Sequence, residues 1–318
     1  MSDEHGVGIE QARAFLIDRF GEAVGDLGRL NGGAWSTAYG YRVGTRGLVI
    51  RFSALEEDFR KDERAARNRS AALPIPPVLE IGEAFGGFYA ISERAHGDFL
   101  EEVDEVRMRG LLPALFAALD AMRLADISAT SGFGSWGADG TAGASSWRLA
   151  LLAVANDRPT ARIHGWSERL AGSPTGDRPF REAYRVLETL AASLAVDLPD
   201  PRHLIHSDLV NRNVLVTGSR ITAVLDWGSA LYGDFLFDLA WIRFWQPWYP
   251  AWGAIDFRKE AARHFEAIGL DVPRFEERLR ACEIYIGLDG QVYQAFTRDW
   301  PELERTAART LDIALRHA

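Results

Sequence analysis

The residues with the clearest chemical potential lie close together in the second half of the chain. His206, Asp208 and Asn213 follow the spacing His-x-Asp-x-x-x-x-Asn, and Asp226 comes thirteen residues after Asn213. A loop carboxylate can accept the proton of an attacking hydroxyl, whereas an amide oxygen and a second carboxylate are hard ligands that suit Mg²⁺. Phosphoryl transfer from a magnesium nucleotide needs these groups. We therefore predict Asp208 as the catalytic base, and Asn213 and Asp226 as metal ligands.

The segments between these residues predict how they meet. Residues 214–216 and 221–225 are apolar, strand-like and separated by a turn, so a hairpin would bring Asn213 and Asp226 together near Asp208. Taken alone, Asp208 also fits a loop residue in an Asx-turn, and Asp226 fits an acid that caps a turn. For His206 we predict a structural role, holding the backbone of the second metal-ligand segment.

A cation and an acid upstream suit the nucleotide's phosphates. Arg51 lies on a predicted strand, where it would pair with the α- and β-phosphates and with an acid on the next helix. Glu63 is that acid by position, with Asp62 as the second choice. The alternative for Arg51 is an exposed position on an edge strand.

Two loops complete the predicted nucleotide site. Residues 31–37 contain a Gly-Gly pair whose backbone N–H groups can approach phosphate, and Ser36 adds a hydroxyl donor. The alternative for this loop is an ordinary hairpin turn. Residues 91–97 form the predicted connector, where backbone groups of Glu93 and Ala95 would bind the adenine.

The periodicity of the chain predicts an α+β protein of two lobes. Residues 1–92 form the small N-terminal lobe, 93–97 the hinge and 98–318 the larger, mostly helical lobe with the catalytic loop. The predicted strands of the small lobe, an antiparallel sheet, are 37–43, 47–52, 78–81 and 88–92, and its predicted helices are 9–20 and 55–72. The predicted helices of the large lobe are 103–124, 147–155, 179–194, 236–244, 257–268 and 275–287. Within the large lobe only 213–226 is predicted as strand, and the Gly-rich 131–137 is predicted as a loop.

Composition excludes several classes of protein. Apolar residues make up 47% of the 318 residues and charged residues 25%, with a net charge of −9 and no basic stripe, which argues against nucleic-acid binding. The longest apolar stretches are too short to cross a membrane, and the polar N-terminus does not resemble a secretory signal. The single Cys fits a reducing cytoplasm. The acidic balance fits simple solubility or a pocket for a cationic small molecule. We expect a cytoplasmic monomer.

Together these motifs resemble the aminoglycoside phosphotransferase family, a branch of the protein-kinase-like fold. The likeness covers about 15–294, and within the family it points to the branch that phosphorylates the 4-hydroxyl of hygromycin B. The segments that carry it, beyond the catalytic loop and Asp226-Trp227, are 71–76, 130–134, 220–224, 244–248 and 286–289.

The resemblance implies transfer of the γ-phosphoryl group of ATP, with GTP possible, to a hydroxyl group with the help of Mg²⁺. It also implies that Trp245, Trp248 and Asp289 contribute to the antibiotic pocket. The chain departs from the family at Ser207, where Gly is usual, and at Arg212, where the hygromycin branch has Asn; both leave the choice of substrate open. The alternatives are a kinase of another aminoglycoside, sugar or amino alcohol, and a nucleotide-binding regulator without catalysis.

Overall fold

The small lobe is built on a five-stranded antiparallel sheet with strand order β1-β2-β3-β5-β4. The computed structural model describes residues 6–30 and 35–316, so the predicted Gly-Gly pair at 32–33 lies outside the described residues. The strands are β1 (Val24–Arg29), β2 (Thr37–Val43), β3 (Arg46–Ser53), β4 (Val78–Ala84) and β5 (Gly87–Glu93). One face of this sheet packs on α1 (Ile9–Phe20) and the other carries Arg51 toward α2 (Glu56–Ala65).

Alternation along β3 explains this arrangement. Leu48, Ile50 and Phe52 are buried on the face that packs against Ala12 and Leu16 of α1. Successive side chains of a strand point to opposite faces, so Arg51 points the other way.

The large lobe contains the remaining helices around the main hydrophobic core. These helices are α3 (Glu105–Arg123), α4 (Trp147–Leu152), α5 (Trp166–Ala171), α6 (Arg178–Asp197), α7 (Phe237–Trp245), α8 (Phe257–Ala267), α9 (Phe275–Thr297) and α10 (Trp300–Leu315). Its short strands are β6 (Asp98–Phe99), β7 (Phe133–Trp136), β8 (Ala142–Ala144), β9 (His203–Ile205), β10 (Val214–Thr217), β11 (Arg220–Val224) and β12 (Leu231–Gly233). They form two sheets, ordered β11-β10-β6 and β8-β7-β12-β9.

The structure confirms the two-lobed α+β fold. β5 ends at Glu93 and β6 begins at Asp98, so the predicted hinge at 93–97 falls at the connection between the lobes. The domain limits at 92 and 98 stay predictions. No helix in the described ranges combines the length and hydropathy that crossing a bilayer requires.

Three predictions for the large lobe were wrong. Residues 131–137 are not a loop, because Phe133–Trp136 form β7, with Gly132 and Gly134 at positive φ and Trp136 buried. Strands are also not confined to 213–226, because β6, β7, β8, β9 and β12 all lie outside that range. Helix α9 continues past Gly287, where a Cβ atom would lie 2.1 Å from Thr310 Oγ1 of α10. This glycine permits close helix packing rather than ending the helix.

Candidate active site

The catalytic loop and the β10–β11 hairpin bring the three predicted residues together. Asn213 Nδ2 donates hydrogen bonds to Asp208 O at 2.8 Å and to Asp208 Oδ2 at 3.0 Å. In the hairpin Val214 lies opposite Val224, and the Leu225 N–H donates to Asn213 O at 2.7 Å. Asp226 therefore leaves β11 beside Asn213, where the sequence predicted it.

His206 fixes the backbone on both sides of this hairpin. Its Nε2 lies 2.7 Å from Leu225 O, and its Nδ1 lies 3.2 Å from the Asp208 N–H, which donates to it. The ring must then be neutral, with its proton on Nε2. Burial agrees, since it lowers the pKa of His206 to about 4. The predicted structural role of His206 is confirmed.

Asp238, at the start of α7, binds the backbone of the catalytic loop at His206 and Ser207. Its carboxylate accepts hydrogen bonds from the backbone N–H groups of His206 at 2.9 Å and Ser207 at 2.7 Å. Burial raises the pKa of Asp238 to about 6 although both bonds favour its charged form. Asp234 forms a buried bidentate pair with Arg278, with both distances 2.8 Å. Both acids therefore have structural roles next to the catalytic loop.

Two buried carboxylates, Asp208 and Asp226, repel each other in the absence of a cation. Burial, and then the charge of Asp226, raises the pKa of Asp208 well above its usual range. Burial, and then the charge of Asp62, raises the pKa of Asp226, while Arg51 opposes the rise. A bound cation stabilises buried carboxylates that repel one another in this way.

The donor set fits Mg²⁺ in this place. The amide nitrogen of Asn213 is engaged by Asp208, which leaves its Oδ1 for a metal ion beside the Asp226 carboxylate. The described residues contain no group of three His, Cys, Asp or Glu side chains able to hold a metal by themselves. A magnesium ion here would take its remaining ligands from phosphate and water, as Mg²⁺ usually does.

Arg51 pairs with Asp62 and not with Glu63. Arg51 Nη2 contacts Asp62 Oδ2, and the other carboxylate oxygen of Asp62 accepts the Trp227 N–H at 2.7 Å. Glu63 instead lies 3.4 Å from Arg60, with its side chain 43% exposed against 8% for Asp62. The prediction for Glu63 was wrong, because a shift of one residue on a helix turns the side chain by about 100°.

Lys61 makes contacts between the lobes that the sequence analysis did not predict. Its Nζ donates to Gly228 O at 2.5 Å and to Ala230 O at 3.4 Å, and it lies 4.8 Å from the centroid of the Trp136 ring. Burial lowers the pKa of Lys61 to about 8. Lys61 and Asp62 thus join α2 to the segment that follows Asp226. Nothing in the sequence indicated this burial, because a lysine in a charged helix is usually exposed.

The connector at 93–97 and the residues before β2 carry the remaining predicted nucleotide contacts. The Glu93 N–H donates to Pro77 O at 3.3 Å, so this N–H is already engaged within the protein. The Arg94 N–H donates to Gly47 O at 3.1 Å, which ties the connector to the start of β3. Ser36 is half-buried just before β2, next to the residues that the structure does not describe. The roles of Ser36, Glu93 and Ala95 stay predictions.

Of the three predicted substrate residues, Asp289 lies near Asp208. Asp289 contributes to the raised pKa of Asp208, and burial raises its own pKa to about 6. A Cβ atom on Gly290, the next residue of α9, would lie 3.3 Å from the Trp245 ring, so Trp245 packs against α9 at this glycine. Trp248 lies against the Trp245 ring, with centroids 5.0 Å apart, and its Nε1 donates to Glu302.

Arg212, the departure beside Asn213, turns toward the hinge-side elements of the large lobe. Its N–H donates to Glu101, and its guanidinium lies 5.5 Å from the Phe99 centroid and 3.8 Å from Glu102. Ser207, the other departure, has φ of 64° and donates its hydroxyl to Ser229 O at 2.6 Å. Both therefore support the loop.

Comparisons with known proteins identify the family of this chain. The chain matches the phosphotransferase enzyme family (APH) over residues 27–277. It is 37% identical over 283 residues to hygromycin-B 4-O-kinase of Escherichia coli, covering 88% of this chain and 77% of that protein. The crystal structure of aminoglycoside phosphotransferase APH(4)-Ia is 34% identical with a TM-score of 0.81, covering 95% of this chain and 97% of that one. A thermostable mutant of the same enzyme, in ternary complex with AMP-PNP and hygromycin B, has a TM-score of 0.80 at 34% identity, with the same coverage. The chain therefore belongs to the aminoglycoside phosphotransferase family of phosphotransferase enzymes.

Proposed function

We propose that this protein transfers the γ-phosphoryl group of ATP to the 4-hydroxyl of hygromycin B. The convergence of Asp208, Asn213 and Asp226 at one point supports phosphoryl transfer. The 37% identity to hygromycin-B 4-O-kinase over most of the chain supports this acceptor. Addition of a doubly charged phosphate would inactivate the antibiotic, so the activity would confer resistance. We infer a monomer working in the cytoplasm, where ATP is available.

Asp208 would act on the acceptor hydroxyl. In the reaction the hydroxyl oxygen bonds to the γ-phosphorus, the bond from that phosphorus to the β–γ bridging oxygen breaks, and ADP leaves with its electron pair. The hydroxyl proton passes to Asp208, late in a largely dissociative transition state. Asn213 donates a hydrogen bond to this carboxylate, and His206 accepts the backbone N–H of Asp208, so both side chain and backbone are held in place.

Asn213, Asp226 and Arg51 would bind the nucleotide. Asn213 and Asp226 would hold Mg²⁺, which would supply positive charge to neutralise the phosphates. Arg51 would donate hydrogen bonds to phosphate oxygens while Asp62 holds its guanidinium in place. The backbone of Glu93 and Ala95 would bind the adenine, and Ser36 would donate to phosphate.

The acceptor pocket would lie beside Asp289 and Trp245. An aminoglycoside carries ammonium groups, and a carboxylate near Asp208 gives such a cation a direct partner. The indole ring of Trp245 would offer a face to a sugar ring or an ammonium group. Trp248 would support that ring by its edge contact, because its own face is covered by the Arg305 guanidinium, 4.0 Å from the ring centroid.

A phosphate-transfer assay across a panel of acceptors tests the proposal. We expect ADP release with Mg²⁺-ATP to depend on hygromycin B and to be much slower with 2-deoxystreptamine antibiotics of other families, simple sugars and amino alcohols. A product of hygromycin B carrying one phosphate, located by phosphorus NMR, identifies the hydroxyl. Turnover with another acceptor but not with hygromycin B would refute the substrate. Nucleotide binding without transfer to any acceptor would favour a regulator.

A further inference from the structure

A cation of the large lobe reaches the small lobe beside the proposed metal ligands. Arg162 lies between α4 and α5, and its Nη2 is 3.0 Å from each carboxylate oxygen of Asp58 on α2. Its Cζ also lies 4.8 Å from the centroid of the Trp35 ring, in the loop that leads into β2. One guanidinium therefore contacts both α2 and the loop that is predicted to cover the phosphates.

Asp58 itself lies next to the metal-binding segment. A Cβ atom on Gly228 would be 3.3 Å from Asp58 Oδ1 and 3.3 Å from Asp226 Oδ1, so both carboxylates border the same point. The charge of Asp58 also contributes to the raised pKa of Asp226. The Arg162 guanidinium is thus separated from the proposed magnesium site by a single carboxylate.

The segment that carries Arg162 is held in a fixed shape by Asp157. One oxygen of this carboxylate accepts the Gly165 N–H at 2.9 Å and lies 2.9 Å from His164 Nδ1. The other accepts the N–H of Ser167 at 3.0 Å and its hydroxyl at 2.7 Å. Four polar contacts on one acid build a rigid base for the turn, so the position of Arg162 does not depend on Asp58 alone.

The Arg162–Asp58 ion pair would add little stability if its role were only to link the two lobes. The side chains are 34% and 18% exposed, and ion pairs that are partly exposed to solvent contribute little to stability. Lys61 and Asp62 already join α2 to the large lobe through buried contacts. By contrast, the terminal phosphate of ATP offers a guanidinium three oxygens and more charge than one carboxylate does.

We propose that Arg162 is a phosphate-binding residue that Asp58 holds in the nucleotide-free protein and that bonds to the terminal phosphoryl group when ATP enters. The inference rests on the proposed function, because it takes the phosphates to lie at Asn213 and Asp226. Arg162 exchanges no proton. It donates N–H hydrogen bonds to the non-bridging γ-oxygens, over which charge spreads in the transition state.

Binding of AMP-PNP and ADP to two arginine variants tests the proposal. Arg162→Ala removes the guanidinium, and Arg158→Ala is the matched control, since Arg158 is exposed on the same segment and has no ion pair among the described residues. We expect Arg162→Ala to weaken AMP-PNP binding by about tenfold, to leave ADP affinity unchanged and to lower kcat by about 10²-fold. Arg158→Ala should match the wild-type protein in all three.

Asp58→Asn separates phosphate binding from a structural link between the lobes. If Arg162 binds phosphate, removing its resting partner leaves AMP-PNP affinity unchanged or higher, and the double variant behaves like Arg162→Ala. If the pair is only structural, Asp58→Asn and Arg162→Ala show the same loss, which would overturn the proposal. An equal loss of ADP and AMP-PNP affinity in Arg162→Ala would overturn it too. Failure of the wild-type protein to bind AMP-PNP would instead refute the proposed function.

Discussion

Replacement of Asp62 should damage the protein much more than replacement of its neighbour Glu63. Asp62→Ala removes the partner of Arg51 and the acceptor of the Trp227 N–H, both in a buried place. Breaking one side of a buried ion pair costs about 3–5 kcal/mol, and an unsatisfied buried N–H costs about 1–3 kcal/mol. Asp226 still attracts Arg51, which reduces the loss. We therefore expect a decrease of about 4 kcal/mol in the free energy of unfolding.

Glu63→Ala is the matched control, because it removes the same charge one residue along α2. Glu63 is 43% exposed and lies 3.4 Å from Arg60, so its removal should cost less than about 1 kcal/mol. Urea unfolding followed by circular dichroism measures both variants, and calorimetry measures their AMP-PNP affinity. Asp62→Ala should bind AMP-PNP at least tenfold more weakly, whereas Glu63→Ala should bind it normally. Losses of equal size in the two variants would refute the assignment of Asp62.

Three further predictions concern residues around the same site. Burial lowers the pKa of Lys61 to about 8 from 10.5, so the folded state binds fewer protons between these values and stability rises with pH. The free energy of unfolding should rise by about 2 kcal/mol between about pH 7.5 and 9.5 in the wild-type protein and not in Lys61→Met. Asp226→Ala should abolish the magnesium dependence of AMP-PNP binding, measured with and without EDTA; an unchanged dependence removes it from the metal site. Asp238→Ala leaves the N–H groups of His206 and Ser207 without their acceptor, so it should lower stability by about 2–4 kcal/mol and reduce kcat, while wild-type values would contradict its role.

Local patterns in the sequence predicted the elements that depend on local contacts. The predicted helix at 9–20 and strand at 37–43 coincide with α1 and β2, because hydrophobic periodicity records which face of an element is buried. The strands β7, β9 and β12 were missed. They are only three or four residues long, and each pairs with segments distant in sequence, such as Leu231 with Ile205 and with Ser135.

In the site, the sequence predicted which residues come together but not how each helix is rotated. The spacing of Asp208, Asn213 and Asp226 was sufficient to predict their convergence, since a hairpin must bring its two ends together. The choice between Asp62 and Glu63 needed the rotation of α2 about its axis, which the sequence of a short, highly charged helix does not define. The contact between Arg162 and Asp58 joins segments too distant for any local pattern to indicate.

Single-turnover transfer from ATP to hygromycin B tests the central claim most directly. Wild-type protein and Asp208→Ala are each saturated with Mg²⁺-ATP and antibiotic, and labelled phosphate on the antibiotic is measured over time. We expect Asp208→Ala to bind AMP-PNP with wild-type affinity and to transfer phosphate about 10³-fold more slowly, because the acceptor has lost its base. Transfer within tenfold of the wild-type rate would contradict the placement of the reaction at Asp208, Asn213 and Asp226.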